Sequence, residues 1–487
     1  MKLKPTAVDL DGHLRRNAFA DALVVADSLL ALNPRNLEAW VGRARSNMAM
    51  AKIFDADNDL DMALKLSPSH HHANWMRGVL DHRLGRIDQA IERLRKLSLA
   101  KMPCSIDASF SLAETLYFSH RRDEYKQFIQ AGGDWTKDPR AEFFIARARA
   151  REDPLGTIDD LLRIMRQDTD GVLKSLAGFD AVILLDKAGR YREAFDVAVY
   201  LHANAKGASS FDLEGLLSGV REQHSLLQKR APWFKPRADV VGGVSIVVGL
   251  PRCGSTLFEQ MLDSHSKVSG IGEYDGVRRL GNDFVSSGIS MQGIGMMPRE
   301  LAQNLQRDYL NGATRFKREG AEWSFDKTLR AWRLLPVIAA ALPGAVCFHV
   351  ARDPRDMAIS TFLAYFNPTS DGWTANIDSI RRVIEAERSL LPDALDTLEI
   401  PNEQIVYENL VADPAGHARR SLARLGLDME PDVVQPERNT RAVFTLSHEQ
   451  VKRSINTASI GRWKNYEFAF DDSWRALAVA HDARRTR

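Results

Sequence analysis

"VVGLPRCGSTLFEQML", residues 247–262, decides the fold of the half of the chain that contains it. Its valines end an apolar run, VSIVVGL (244–250), suited to a strand buried on both faces of a parallel sheet. TLFEQMLDSH (256–265) then carries Leu257, Met261 and Leu262 on one side of a helix. Between strand and helix stand Gly249 and Gly254, and Gly254 lets the backbone curl so that successive N–H groups point inward. The positive end of the helix dipole adds to them, so the turn is an anion cradle before any side chain acts.

Laid over the phosphate-binding pattern G-x-x-x-x-G-K-[ST], the stretch keeps both glycines and Thr256 but has Ser255 in place of the lysine. A nucleoside triphosphatase would thereby lose its main contact to the leaving phosphate. Arg252 offers instead a planar, permanently charged fork suited to a tetrahedral oxyanion. GLPRCGSTL (249–257) closely resembles the 5′-phosphosulfate loop of the sulfotransferases that use 3′-phosphoadenylyl sulfate (PAPS), commonly P-[KR]-[SC]-G-[ST]-T. The resemblance implies a fold related to nucleotide kinases. It also implies a ligand held by Arg252, Cys253, Gly254, Ser255, Thr256 and Leu257.

PAPS also carries a 3′-phosphate, which this family reads with an arginine at a strand end and a serine eight residues on. AVCFHVARDPRDMAISTF (345–362) has Arg352 and Ser360 at that spacing, with Arg355 one turn along to assist. A guanidinium with a hydroxyl near a helix start is also what phosphate recognition needs on physical grounds. The plainer alternative is a structural ion pair between Arg352 and Asp353.

Further segments resemble the tyrosylprotein-sulfotransferase branch. SGIGEYDG (269–276) implies Glu273 as the base, with Tyr274 standing where those enzymes have a second glutamate. Alternatively Glu273 caps a helix or pairs with Arg278 or Arg279, leaving Asp275 or a histidine as base. FDKTL (325–329) implies that Lys327 touches the transferring group. SHEQVKRSINTASIGRWKNYE (447–467) aligns Ser447, Gln450, Val451 and Trp463 with a family segment whose serine falls on Gly461, with Ser459 close by. GRWKN also echoes the cytosolic branch, which implies Lys464 at the nucleotide. IVYENLVADP (405–414) implies Tyr407 at the nucleotide and a structural Glu408.

The first half has a different texture. RNAFADA (16–22), MAKIFDA (50–56) and LGRIDQA (84–90) start 34 residues apart, and Asn33-Pro34 and Ser67-Pro68 keep the same period. AGRYREAFDVAVYL (188–201) is a further such unit, whereas FSHRRDE (118–124) keeps the period without the small residues. This half resembles tetratricopeptide (TPR) repeats, helix pairs whose apolar faces are covered only by the next pair. The consecutive His70, His71 and His72 point in different directions and are not expected to bind a metal.

The expected fold class is an α-helical TPR solenoid followed by an α/β P-loop-like sulfotransferase domain with a parallel central sheet. Its expected domains are the solenoid at 1–225, a basic linker with Pro232 and Pro236 at 226–243, and the α/β domain at 244–487. Net charge of +2 argues neither for nor against an anionic ligand, but the lack of a basic, aromatic-interleaved stripe argues against nucleic acid. Three distant cysteines exclude a disulfide framework and fit a reducing compartment. LLPVIAAALPGAVCFHV (334–350), interrupted by Pro336 and Pro343, reads as buried helix, turn and strand rather than a membrane span. With no signal peptide in MKLKPTAVDLDGHLRR (1–16), a cytoplasmic protein is expected.

The expected activity is transfer of a sulfuryl group from PAPS, leaving 3′,5′-ADP, to a hydroxyl or phenol on a protein, carbohydrate or small molecule, without a metal. The array is expected to bind a protein partner or substrate, or to pair two copies. A degenerate P-loop kinase and an inactive TPR scaffold are the alternatives.

Overall fold

The computed structural model of the chain describes residues 6–50, 52–167, 171–205, 207, 210–229, 234–439, 441 and 454–485. Pro232, Ser447, Gln450 and Val451 lie outside the described residues. The chain divides between Ala148 and Arg149 into two compact units.

The first unit is built of helix pairs. Phe19–Leu32, Leu37–Ala49, Ile53–Leu66, His71–Arg83, Ile87–Leu99 and Ser105–Phe118 follow one another, each packed on the next. Small residues let them approach: Ala22, Ala26, Ala39, Ala44, Ala56, Ala63 and Ala73 are all fully buried. A Cβ on Gly78 would sit 2.7 Å from Leu94, so this crossing demands glycine. The turn before the second helix of a pair recurs with left-handed backbone, at Asn17 (φ 57°), Gly85 (φ 75°) and His120 (φ 61°). His70 caps helix His71–Arg83, its Nδ1 accepting from the Ala73 N–H at 3.1 Å, and His72 lies against Trp75.

The second unit opens with helices Pro154–Arg166, Gly171–Lys187, Tyr191–Ala203 and Leu213–Gln228, the last running on past residue 225. Gly189 (φ 76°) repeats the turn of the first unit. These helices pack with the sheet domain as one body. Phe195 meets Phe362 at 4.9 Å between ring centroids, His202 Nε2 donates to the Phe362 carbonyl at 2.8 Å, and Arg382 pairs with Glu214 at 2.6 Å.

Five parallel strands, β1 (Val244–Val248), β2 (Val268–Gly272), β3 (Trp323–Asp326), β4 (Val346–Ala351) and β5 (Asn402–Val406), lie in the order β2-β3-β1-β4-β5. β1 is buried along its whole length, as a central strand covered by helices on both faces must be. The apolar run 334–350 forms helix Leu335–Ala341, a turn at Gly344 (φ 93°) and β4. Among the described residues no helix is long and apolar enough to cross a membrane. Because every strand runs the same way, all five carboxyl ends open on one edge, where ligands of such sheets bind. The loop from Gly249, then Glu273, Lys327, Arg352 and Tyr407, follow β1 to β5 in turn.

Candidate active site

The loop after β1 is shaped by backbone constraints. Gly254 has φ 103°, and a Cβ there would lie 2.2 Å from the Tyr407 ring, so only glycine fits. Arg252 itself takes φ 68°, a conformation that strains a non-glycine residue by roughly 1 kcal/mol. Ser255 and Thr256 open helix Ser255–Asp263, both buried, with the first-turn N–H groups of that helix beside them. Leu257 is half-buried in the same turn. Cys253 is fully buried and its thiol is pushed up to about 11 by that burial. A thiol so held is no nucleophile at neutral pH.

Two guanidinium groups converge on this loop. Arg252 Nε donates to the Ser360 hydroxyl at 2.8 Å. Arg352 Nη1 donates to the Arg252 carbonyl at 3.1 Å and Nη2 to the Ser459 carbonyl, with its guanidinium 4.8 Å over Tyr407. Its Nε is buried without a hydrogen-bond partner among the described residues. Burial, then the charges of Arg352 and Arg462, draw the Arg252 guanidinium down to about 10, still protonated at neutral pH. The site thus gathers Arg252, Arg352 and Ser360, but the hydroxyl is held by Arg252 rather than Arg352. Asp353 pairs with Arg355 at 2.8 Å and caps helix Pro354–Phe362, while Arg355 stacks 3.7 Å over Trp463.

The ends of β2 and β3 supply the second pair. Lys327 Nζ donates to Glu273 Oε1 at 2.7 Å, with the lysine side chain 1% exposed and the glutamate 59%. A desolvated ammonium therefore holds a carboxylate that still faces solvent. Asp275, not Glu273, pairs with Arg278, at 2.6 Å. Tyr274 turns into the core, packed on Tyr309 and Phe316, so it offers no side chain to a ligand.

A strap, residues 459–464, closes the edge above β4. Asp356 accepts the N–H groups of Gly461 and Trp463 at 2.7 and 2.8 Å. Gly461 sits at φ 74°, where serine would be strained, and Ser459 reaches Arg352 through its carbonyl. Lys464 is exposed. Arg462 and Tyr466 both donate to Asp186 of helix Gly171–Lys187. Tyr407 is buried against Gly254 and Arg352. Glu408 bridges the Asp353 N–H and His481, at 2.9 and 3.0 Å, a structural position. Sequence reasoning missed Asp356, Asp186 and the buried Asp326. For Asp356 a signal existed: an acid in the first turn after Arg352.

Residues 246–431 match the family model described as Sulfotransferase family, so this segment is a sulfotransferase-family domain. An uncharacterised protein of Aquifex aeolicus is 25% identical over 315 residues, covering 60% of this chain and 40% of the relative. Among solved structures, the sulfotransferase domain of a Synechococcus olefin synthase is 20% identical with a TM-score of 0.34, covering 49% of this chain and 98% of that one. The sulfotransferase domain from the curacin biosynthetic pathway is 18% identical with a TM-score of 0.37, covering 50% and 98%. The TPR domain of P58(IPK) is 14% identical with a TM-score of 0.19, covering 80% and 96%.

Proposed function

We propose that this chain transfers a sulfuryl group from PAPS to a hydroxyl or phenol acceptor, releasing 3′,5′-ADP. The observation that carries the reading is the Glu273–Lys327 pair, standing at the same sheet edge as the Gly254 cradle and the two arginines. Arg352 Nε, buried without a partner among the described residues, and the left-handed turn at Gly254 fit a ligand with two anionic ends. The loop amides, Ser255 and Thr256 would hold the 5′-phosphate, and Arg352 with Ser360 the 3′-phosphate. When bound, PAPS supplies an electrophilic sulfur on a good leaving group.

Glu273 takes the proton of the attacking hydroxyl, which for a phenol has pKa about 10 and needs a base within hydrogen-bond reach. Lys327 and Arg252 offset charge that develops on the transferring and leaving oxygens. Positioning and electrostatics suffice for such in-line transfer, and no residue is asked to form a covalent intermediate. Glu273 is exposed on the acceptor side, which suits a protein tyrosine, a carbohydrate or a small molecule. The helical array binds a protein partner or substrate, or pairs two copies. The three free, buried cysteines suit a cytoplasmic setting.

Thermal-shift titration with 3′,5′-ADP, ATP and 5′-AMP tests the reading, because a ligand that binds the folded state raises its stability by mass action. Stabilisation by 3′,5′-ADP above the other two, lost in Arg352→Ala, supports it. Preference for ATP, or no response to any nucleotide, overturns it in favour of a kinase or an inactive scaffold.

A further inference from the structure

Behind the Glu273–Lys327 pair lies a buried network that charge stabilisation alone does not require. Lys327 donates its backbone N–H to the Gly272 carbonyl at 2.9 Å, and the Thr328 hydroxyl lies 2.7 Å from the Tyr274 carbonyl. These two carbonyls flank Glu273 in sequence, so the chain around the glutamate is fastened on both sides to the residues after β3. The Thr328 hydroxyl is in turn 2.6 Å from Oδ1 of Asp326, which is fully buried. Oδ1 also accepts the Thr328 N–H at 2.9 Å, and Oδ2 accepts the Tyr309 hydroxyl at 2.9 Å.

Counting protons decides the state of this network. Oxygen pairs at 2.6 and 2.7 Å are hydrogen bonds, and each needs a proton between its atoms. Thr328 has one hydroxyl proton, and the Tyr274 carbonyl has none to give. A protonated Asp326 supplies the second and spares Thr328 from sharing one proton between two acceptors. We propose that Asp326 is held as a neutral acid that donates to Thr328, and that in this state it is a positioning residue for Glu273 against Lys327. The proposal rests on the sulfuryl-transfer reading only for the role of Glu273 as base.

The surroundings agree. Burial pushes the Asp326 carboxyl up to about 7, with the charge of Glu259 adding to it and the bonds from Thr328 and Tyr309 opposing. The titratable groups that face it are Tyr309 from helix Arg299–Phe316, Glu259 from helix Ser255–Asp263 and Tyr274 from the loop after β2. Glu259 accepts the Gly272 N–H at 3.0 Å, Tyr274 is approached by Arg279, and the neighbouring Lys327 points its ammonium at Glu273. Once the proton is lost, Thr328 has two acceptors and one proton, and the Tyr274 carbonyl is released.

Infrared difference spectra of the full chain between about pH 6 and about pH 9 test the assignment, since the ordinary carboxyl is ionised across that range. A protonated-carboxyl band should vanish as pH rises and be missing from Asp326→Asn. In sulfuryl-transfer assays kcat should fall on the alkaline side. Thr328→Val should lower kcat about tenfold or more with donor KM little changed, and Thr328→Ser should restore it, as expected when a misplaced catalytic group is returned. A spectrum without that band, or wild-type kcat in Thr328→Val, overturns the proposal. If the wild-type chain transfers no sulfuryl group, the function reading fails instead, and the carboxyl band alone decides the proton assignment.

Discussion

Arg252 holds Ser360 through its Nε at 2.8 Å, so the loop after β1 is tied to helix Pro354–Phe362 across the candidate anion site. The bond fixes the Nε edge of the guanidinium beside the loop. It also steadies the left-handed backbone of Arg252. Ser360→Ala should therefore weaken 3′,5′-ADP binding about tenfold, the usual worth of one hydrogen bond to a charged group. Arg252→Lys should lose more, because an ammonium cannot hold the serine and fork an oxyanion together. Calorimetry decides it: unchanged affinity in Ser360→Ala would reduce the hydroxyl to packing.

Glu273→Gln separates catalysis from stability. Glutamine keeps an oxygen that accepts from the buried Lys327 ammonium but cannot take a proton. Turnover should fall by about 10²–10⁴, the range for a lost general base, with Tm almost unchanged. Glu273→Ala should also destabilise by about 1–3 kcal/mol, because it leaves a buried donor unmatched. Wild-type turnover in Glu273→Gln would move the base elsewhere.

A half-buried histidine and a buried aspartate give the chain opposite pH dependences over one window. Burial, with Arg83, pulls His82 down to about 4, and its Nδ1 lies 3.0 Å from the Thr115 hydroxyl. Its stabilising contribution is complete above its ordinary pKa of about 6.5 and is lost as pH falls through about 4. Asp326, pushed up to about 7, contributes fully below the ordinary carboxylate pKa and loses that contribution as pH rises through about 7. Relative to wild type, His82→Gln should gain stability as pH falls and Asp326→Asn as pH rises. Urea titrations across the window check both signs, and differences that stay flat with pH would count against these burial effects.

The features legible in the sequence are those carried by neighbouring residues. Gly249, Gly254 and Ser255 lie within one turn, and Glu273, Lys327 and Arg352 each follow a strand directly, so a short motif places them once the sheet is parallel. The repeat period likewise yields the helix pairs. What stayed hidden depends on distant partners. Asp186 and Arg462 are 276 residues apart, and Asp356 and Gly461 are 105 apart. Spacing put Ser360 on the right helix but gave no means to choose between two guanidinium groups. Nor does an apolar helix face reveal whether its cover is another repeat or, as for Phe195, a helix of the sheet domain.

Asp186 joins helix Gly171–Lys187 of the second unit to the strap of the candidate site. Its carboxylate accepts from Arg462 and, at 2.6 Å, from Tyr466, and the segment holding both also contains the Ser459 carbonyl that receives Arg352. Asp356 grips the strap from the other side through Gly461 and Trp463. Removing Asp186 leaves the buried Tyr466 hydroxyl without its acceptor and Arg462 without its counter-ion, while the Phe195–Phe362 and His202 contacts still dock the helices. Asp186→Ala should thus keep the fold yet lower 3′,5′-ADP affinity about tenfold, and a cycle with Arg462→Ala should be non-additive, as for residues in one network. Equal binding by Asp186→Ala and wild type would mean that Asp356 alone sets the strap and that helix Gly171–Lys187 only adjoins the site.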